Sequence, residues 1–268
     1  GRYPTTGYIW LDFSLIPLLG QWFYRRETGR FYRSEATLAQ ALRLKTWYEN
    51  NLNADGLLDF PFAEYYRQGL RNFIDHPGVL HEFPHPGIER DGISCGLNTF
   101  YYAFVRVLSE IAAAQGSPRA EILRGEADHL ARIIPETFYD GYVFHDVRRP
   151  DGLSAGTSWQ TNGLAVCFRL IEGDEARAVM QAMLDGYDTL CRCTPYFHFY
   201  FLWALRQVGL DGEALRLIGK EWGPMVHAGS TTAWECFTGH ERDSLCHPWS
   251  TAPFLFLVDP RPFPFGKE

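Results

Sequence analysis

The sequence lacks the features that would mark a membrane or nucleic-acid-binding protein. It holds no stretch of about 18 or more apolar residues, so we expect no membrane-spanning helix. No run of Lys or Arg stands out and the formal net charge is −7, so the basic patch that nucleic acids require is also missing. The start, Gly1–Pro4, does not resemble a signal peptide. We therefore predict neither a membrane nor a nucleic-acid partner.

Cysteine is scarce as well, with 6 residues in a chain of 268. A disulfide scaffold needs a much denser set, so buried free thiols are the better interpretation. Cys236, His240, Cys246 and His247 lie near one another in sequence, but their spacing matches no standard zinc site. No phosphate-binding glycine loop or dinucleotide fingerprint occurs either. We predict no metal ion and no organic cofactor.

Aromatic residues, in contrast, are abundant, at 16% of the chain. Aromatic side chains bury large areas, so a thick core explains most of them. A cleft lined by rings, on whose faces sugar C–H groups could stack, is the alternative. Composition alone favours the core.

The dominant hydrophobic period is that of an α-helix. A long segment without sustained period, residues 57–91, holds Pro61, Pro77, Pro84 and Pro86 and is predicted to form a wall of a cleft, because mere connections are shorter. Residues 140–144 are predicted as a short hairpin strand. The predicted helices cover residues 11–26, 34–52, 97–115, 119–138, 158–171, 174–187, 195–208 and 211–222.

Short connections between these helices force antiparallel neighbours. Tandem helical repeats usually show a fixed sequence period, and none is visible here. An all-α fold of the α/α-barrel type is therefore favoured over a solenoid. No linker or low-complexity run interrupts the chain, so residues 1–268 are interpreted as a single domain.

The segment 223–253 combines small residues, two Trp, a carboxylate and a His. Glu235, beside Trp234, could take a proton from water, while His247 could hydrogen-bond sugar hydroxyls and Trp249 could bound a pocket. The alternative, that Glu235 is a surface acid and His247 a core histidine, is equally consistent with the residues themselves.

This segment resembles the C-terminal barrel motif of the α-L-rhamnosidases of glycoside hydrolase family 78. The matching pieces are Ala228–Glu235, which ends in Thr-Thr-Ala-Trp-Glu, and Ser244–Ser250. Further pieces match in the family's order over essentially the whole chain. They are Tyr8–Ser14, Asp55–Leu57, Phe73–Asp75, Leu97–Tyr102, Thr194–Pro195, Tyr200–Leu205 and Ala214–Met225.

The resemblance implies an (α/α)6-barrel, or toroid, that hydrolyses terminal α-L-rhamnosides with inversion. In that family a general acid protonates the leaving group while a general base activates water on the opposite face. Glu235 matches the base, and no cofactor or metal is involved. The positions that would contact the carbohydrate are Trp10, Asp12, Asp75, His76, Trp234, His247 and Trp249.

Two departures from the family pattern bear on activity. In the family, the general acid lies upstream of an Asp-Phe-Ser motif, which this chain has at Asp12–Ser14. The general acid is therefore expected to be missing from this chain. Candidates for a relocated acid are Asp12, Glu64, Asp75 and Glu241. His76, moreover, stands where the family usually has Trp.

The barrel is also expected to be incomplete at its N-terminus. Incomplete barrels expose apolar helix faces, which we expect to be covered by self-association or by the missing N-terminal barrel segment. Two other functions stay open: a non-catalytic carbohydrate-binding helical domain, and an α/α-barrel glycosidase for another sugar or uronide.

Overall fold

The computed structural model describes residues 9–60, 68–75, 92–154, 156–239 and 243–265. Short strands accompany the helices: Ile9–Trp10 (β1), Leu70–Arg71 (β2), Ile93–Ser94 (β3), Val147–Arg149 (β4) and Gly152–Leu153 (β5). The helices of these ranges are Leu11–Thr28 (α1), Ser34–Glu49 (α2), Cys95–Ala114 (α3), Ala120–Phe138 (α4), Trp159–Cys167 (α5), Gly173–Asp185 (α6), His198–Gln207 (α7), Asp211–His227 (α8) and Ala252–Val258 (α9).

The helices form two layers. Helices α3, α5 and α7 are buried along nearly their whole length, whereas α4, α6 and α8 bury one face each. Along the chain an inner helix alternates with an outer one, and neighbouring inner helices pack in the order α1, α3, α5, α7 and α9. The inner helices therefore run in the same direction and place their N-terminal ends at one end of the molecule, the mouth.

The predicted helices are confirmed, with ends shifted by a few residues. Helix α5 stops at Cys167 rather than 171 because Arg169 adopts a left-handed backbone, with φ of 55°. Helix α9 was not predicted. The predicted strand at 140–144 is wrong: Asp140 accepts the N–H groups of Tyr142 and Val143 in a turn, and a single bridge joins Tyr139 to Phe144.

Two small sheets lie at the mouth. In the first, β1 pairs in parallel with β2, which places Ile9 opposite Leu70. In the second, β4 lies between β3 and β5 in antiparallel pairing. The first sheet joins the start of α1 to residues 70 and 71, which belong to the long segment predicted to form a cleft wall.

A repeated set of hydrogen bonds fixes the starts of the inner helices. Ser94 caps α3 by accepting the N–H of Leu97, and the Asn98 side chain donates to the Ser94 carbonyl at 2.9 Å. Asn98 also accepts the N–H of Leu58 at 2.7 Å and donates to the Leu58 carbonyl at 3.1 Å. Both backbone groups of an incoming loop residue are thereby satisfied inside the protein.

Helix α5 uses the same device. Ser158 caps α5 by accepting the N–H of Thr161. The Asn162 side chain donates to the Ser158 carbonyl, and it also accepts the N–H and donates to the carbonyl of Phe144. At α7 the pair is Thr194 and His198, whose Nδ1–H donates to the Thr194 carbonyl at 2.8 Å. The repeat escaped detection in the sequence because the three pairs are separated by loops of unequal length.

Helix α9 carries apolar side chains at the surface of the described part of the chain. Phe254, Leu257 and Val258 of this helix are 70%, 58% and 59% exposed. They stand at helical spacing, so they form one apolar stripe on the surface. What covers this stripe, a second copy or a further barrel segment, stays a prediction.

Close packing between α5 and α7 generates a test of stability. A Cβ added at Gly163 would lie 3.0 Å from the Phe201 ring, whereas one at the exposed Gly219 of α8 would meet nothing within 4 Å. We expect G163A to lower the free energy of unfolding by about 1–2 kcal/mol because the core must shift. G219A should raise it by up to about 1 kcal/mol through helix propensity.

Chemical denaturation of both variants measures the two effects. Because the substitutions are chemically identical, their opposite signs would isolate the packing. A G163A variant as stable as G219A would contradict the packing of α5 against α7.

Candidate functional site

The start of α1 places Asp12 inside the mouth. Its side chain is 0% exposed, and its carboxylate accepts the N–H groups of Phe73 at 3.0 Å and Ile74 at 3.1 Å. Burial raises the pKa of Asp12 to about 6, against the lowering effect of these N–H groups. The carboxylate thus supports the backbone that follows β2, and a contact between Asp12 and substrate stays a prediction.

Asp75 follows that backbone and is likewise 0% exposed. One carboxylate oxygen accepts the side-chain amide of Gln160 at 2.8 Å and the N–H of Thr194 at 2.9 Å. The other accepts the Thr194 hydroxyl at 2.6 Å. Asp75 therefore ties the segment before α3 to the starts of α5 and α7, three points around the mouth.

Glu235 lies in the loop between α8 and α9 and is exposed. Its carboxylate accepts the N–H of Ser244 at 2.9 Å, and its own N–H donates to the Ser244 carbonyl at 2.8 Å. The N–H of His247 donates to the Ala233 carbonyl at 2.8 Å. These bonds pair the two arms of the loop and hold the Glu235 side chain at the surface with one oxygen oriented by a backbone donor.

Two aromatic contacts anchor this loop to the core. The Phe237 ring lies edge-on to His198 at 5.2 Å and to Trp222 at 4.8 Å. Trp222 also donates its indole N–H to the Ser250 carbonyl at 3.0 Å. Burial lowers the pKa of His198 to about 4, so its ring is neutral at physiological pH and is a suitable apolar support.

Trp234 belongs to the loop itself. Its indole N–H donates to the Ser230 hydroxyl at 2.8 Å, and its ring lies so close to Gly239 that a Cβ there would be 2.5 Å away. The indole is half-buried. The loop therefore folds around Trp234, next to the candidate base.

A line of aromatic rings runs across the mouth. Trp10 contacts Phe73 at 5.1 Å, Phe73 contacts Phe13 at 4.7 Å, and Phe13 contacts Trp249 at 5.6 Å. The line ends at His247, whose ring lies 5.8 Å from Trp249. It brings together three residues predicted from the sequence, Trp10, His247 and Trp249.

Beside this line is a cavity of about 390 Å³. Of the predicted site residues only Trp249 lines it, and that side chain is 54% exposed. Its other walls are apolar or aromatic: Phe13, Ile16, Pro17, Tyr196, Phe199 and Tyr200. A largely apolar cavity next to an indole suits the C–H face of a sugar.

Several predicted positions lie outside the described residues: His76, and the acid candidates Glu64 and Glu241. Within the described ranges, no group of three or more His, Cys, Asp or Glu side chains is placed to hold a metal ion. In the same ranges, no helix has both the length and the apolar character of a membrane span.

Sequence reasoning missed Phe13, Phe73, Gln160 and Thr194 as parts of the mouth. Phe73 and Thr194 belong to segments that match the family, Phe73–Asp75 and Thr194–Pro195, but the match assigned neither residue a role. Phe13 follows Trp10 by three positions across the start of α1, a spacing that places both on one side. Gln160 had no signal, because only the fold brings it to Asp75.

Three solved structures resemble this chain. A family 78 rhamnosidase of Bacillus sp. GL1 superposes with a TM-score of 0.74 at 24% identity, over 94% of this chain and 26% of that protein. A Klebsiella oxytoca rhamnosidase with rhamnose bound superposes with a TM-score of 0.72 at 19% identity, over 93% of this chain and 47% of that protein. A Streptomyces avermitilis α-L-rhamnosidase complexed with L-rhamnose superposes with a TM-score of 0.60 at 15% identity, over 83% of this chain and 21% of that protein.

The chain has the α/α-barrel fold of these rhamnosidases. It spans about a quarter and about half of the length of the first two proteins. No protein-family model matches the sequence, and no curated protein does. The predicted all-α fold of the α/α-barrel type is confirmed by these similarities.

The buried Asp12 generates a test of pH dependence. Its pKa rises from 3.8 in the unfolded chain to about 6, so its contribution to stability is full below pH 4 and is lost as the pH rises through 6. Relative to D12N, the unmodified protein should lose about 3 kcal/mol of unfolding free energy between pH 4 and 7.

Urea denaturation at several pH values measures this difference. D185N, at an exposed position of α6, is the matched control and should show no such trend. A pH-independent difference for D12N would mean that the carboxyl ionises inside the protein as readily as in water.

Proposed function

We propose that this chain carries the base-bearing part of a glycoside hydrolase that cleaves terminal α-L-rhamnosides with inversion. The observation that carries the proposal is the position of Glu235: an exposed carboxylate at the mouth of a rhamnosidase-type barrel, oriented by the Ser244 N–H. Two of the similar structures have rhamnose bound. The ring line ending at Trp249 and His247 lies at the same end.

In the proposed reaction, Glu235 takes a proton from a water molecule while the oxygen of that water forms a bond to the anomeric carbon. The bond from that carbon to the leaving oxygen breaks on the opposite face, and a general acid gives this oxygen a proton. Inverting pairs of carboxyl groups stand about 6.5–9.5 Å apart, which leaves room for the water.

Two of the four acid candidates, Asp12 and Asp75, are buried. Asp12 and Asp75 are both 0% exposed, and their oxygens accept N–H and O–H groups of the protein. A carboxyl held in this way cannot reach a leaving group and already has its hydrogen-bond partners. Burial makes Asp12 and Asp75 the weaker acid candidates, and Glu64, Glu241 or a residue from another part of a longer protein stay open for this role.

A second candidate function is a carbohydrate-binding helical domain without catalysis, and the burial of Asp12 and Asp75 is the observation that favours it. It would keep the ring line and the loop around Glu235 but would turn over no substrate. A barrel glycosidase acting on another sugar or uronide also stays open, because His76 departs from the family pattern.

The base can be tested without the acid. Fluoride leaves without needing a proton, so α-L-rhamnosyl fluoride should be hydrolysed by a chain that supplies only the base. We expect fluoride release by the 268-residue chain, and ¹H NMR should show β-L-rhamnose as the first product. E235Q keeps an acceptor for Ser244 but cannot take a proton, so its rate should fall about 100-fold or more.

E136Q, on the exposed face of α4, is the matched control and should keep full activity. Unimpaired hydrolysis by E235Q would remove Glu235 from the reaction. A first product of α configuration would contradict inversion. Binding of L-rhamnose without fluoride release would favour the non-catalytic domain.

Sugar binding tests His247 separately. Its Nδ1 lies 3.0 Å from the Ser250 hydroxyl, which orients the ring. In this proposal the other ring nitrogen binds a sugar hydroxyl. H247A should weaken the binding of L-rhamnose about tenfold, the effect of losing one hydrogen bond. Titration by ¹H NMR measures this affinity.

H129A, on the exposed side of α4, should bind L-rhamnose as the unmodified chain does. Equal affinities for H247A and H129A would assign His247 a structural role in its loop.

A further inference from the structure

A second cavity lies at the end of the barrel opposite the mouth. Its volume is about 910 Å³, and it is bounded by the C-terminal halves of α1 and α3 and by residues 261–265. Arg25 on its wall is thirteen positions beyond Asp12 on α1, which corresponds to about 20 Å along the helix. The cavity is therefore separate from the candidate sugar site.

The charges that line this cavity are nearly all positive. Glu110 is the acidic residue of the lining. Each arginine of the lining pairs with a carboxylate, and most of these carboxylates lie outside the lining: Glu27, Glu121, Asp128, Glu172 and Asp259. The cationic residues of the lining are Arg25, Arg26, Arg106, Arg124, Arg169 and Arg261.

Shared carboxylates hold these guanidinium groups together. Arg25 and Arg106 approach the same carboxylate, that of Glu110, at 3.3 and 3.7 Å. Arg26 and Arg261 both pair with Asp259, at 2.5 and 2.8 Å. Arg side chains that are fixed in advance lose less freedom when they bind an anion.

Basic residues near helix C-termini also offset the helix dipole, which explains part of this arrangement. The helix dipole does not explain why the arginines offer more N–H donors than their carboxylate partners accept. Each guanidinium has five N–H groups. The buried Nε atoms of Arg106 and Arg169 have no hydrogen-bond partner, although the Arg106 Nε lies 3.7 Å from the Glu110 carboxylate and both guanidinium groups pair with a carboxylate through another nitrogen. Every arginine of the lining therefore has an acidic partner, but not every guanidinium N–H group has an acceptor.

We propose that this arginine-lined cavity binds a small polyanion with two or more phosphate or carboxylate groups. Guanidinium groups bind such oxygens in pairs, and several converging arginines favour a multiply charged ligand over a single anion such as chloride. The volume is within the range of small-molecule sites. The proposal does not depend on the sugar site or on Glu235.

Pyrophosphate and citrate are the probes, titrated into the 268-residue chain by calorimetry at constant ionic strength with NaCl. At least one of them should bind, and the tighter one identifies the phosphate or the carboxylate class. R124Q and R169Q should each weaken binding by about three- to tenfold. E110Q should strengthen it by a similar factor, because it removes the negative charge from the wall while its amide oxygen can still accept the Trp22 indole N–H.

R132Q is the matched control, since Arg132 is 58% exposed on α4 and pairs with Glu136 away from the cavity. Its affinity should equal that of the unmodified chain. The opposite shifts of E110Q and R169Q cannot both arise from partial unfolding. The proposal is overturned if neither probe binds, or if R124Q, R169Q and E110Q all bind like R132Q.

Discussion

At the mouth of this barrel, loop backbone enters a dry interior where its N–H and C=O groups cannot reach water. Each group needs a partner inside the protein, because an unpaired one costs about 1–3 kcal/mol. Asn98 meets this need for Leu58, and Asn162 meets it for Phe144, each from the first turn of an inner helix. The helices are thereby fixed to the loops that precede them.

The candidate site depends on the third of these pairs. Thr194 donates twice to Asp75, and His198 donates to the Thr194 carbonyl while its ring supports Phe237, two positions after Glu235. One buried cluster consequently positions both the segment before α3 and the loop of the candidate base. The loop of the candidate base is thereby anchored to the core, as the proposed proton transfer would require.

The two ends of the barrel have different chemistry for a simple geometric reason. Because the inner helices are parallel, all their N-terminal ends meet at the mouth and their C-terminal ends meet opposite. Aromatic rings and the buried acids Asp12 and Asp75 gather at the first end, and arginines gather at the second. Acids favour helix starts and cations favour helix ends, so part of this polarity follows from the helix dipole.

Much of the fold followed from the sequence by itself, because helical periodicity is a local property. The same holds for the short segment around Glu235, Trp234 and His247, whose residues are neighbours in the chain. The sequence could not show that Asp12 and Asp75 are internal supports, since burial depends on what packs over a side chain. Gln160 contacts Asp75, and Arg25 contacts Glu110, in each case across a separation of 85 positions in the chain. Only the tertiary structure decided those meetings, because they result from parallel inner helices packing side by side.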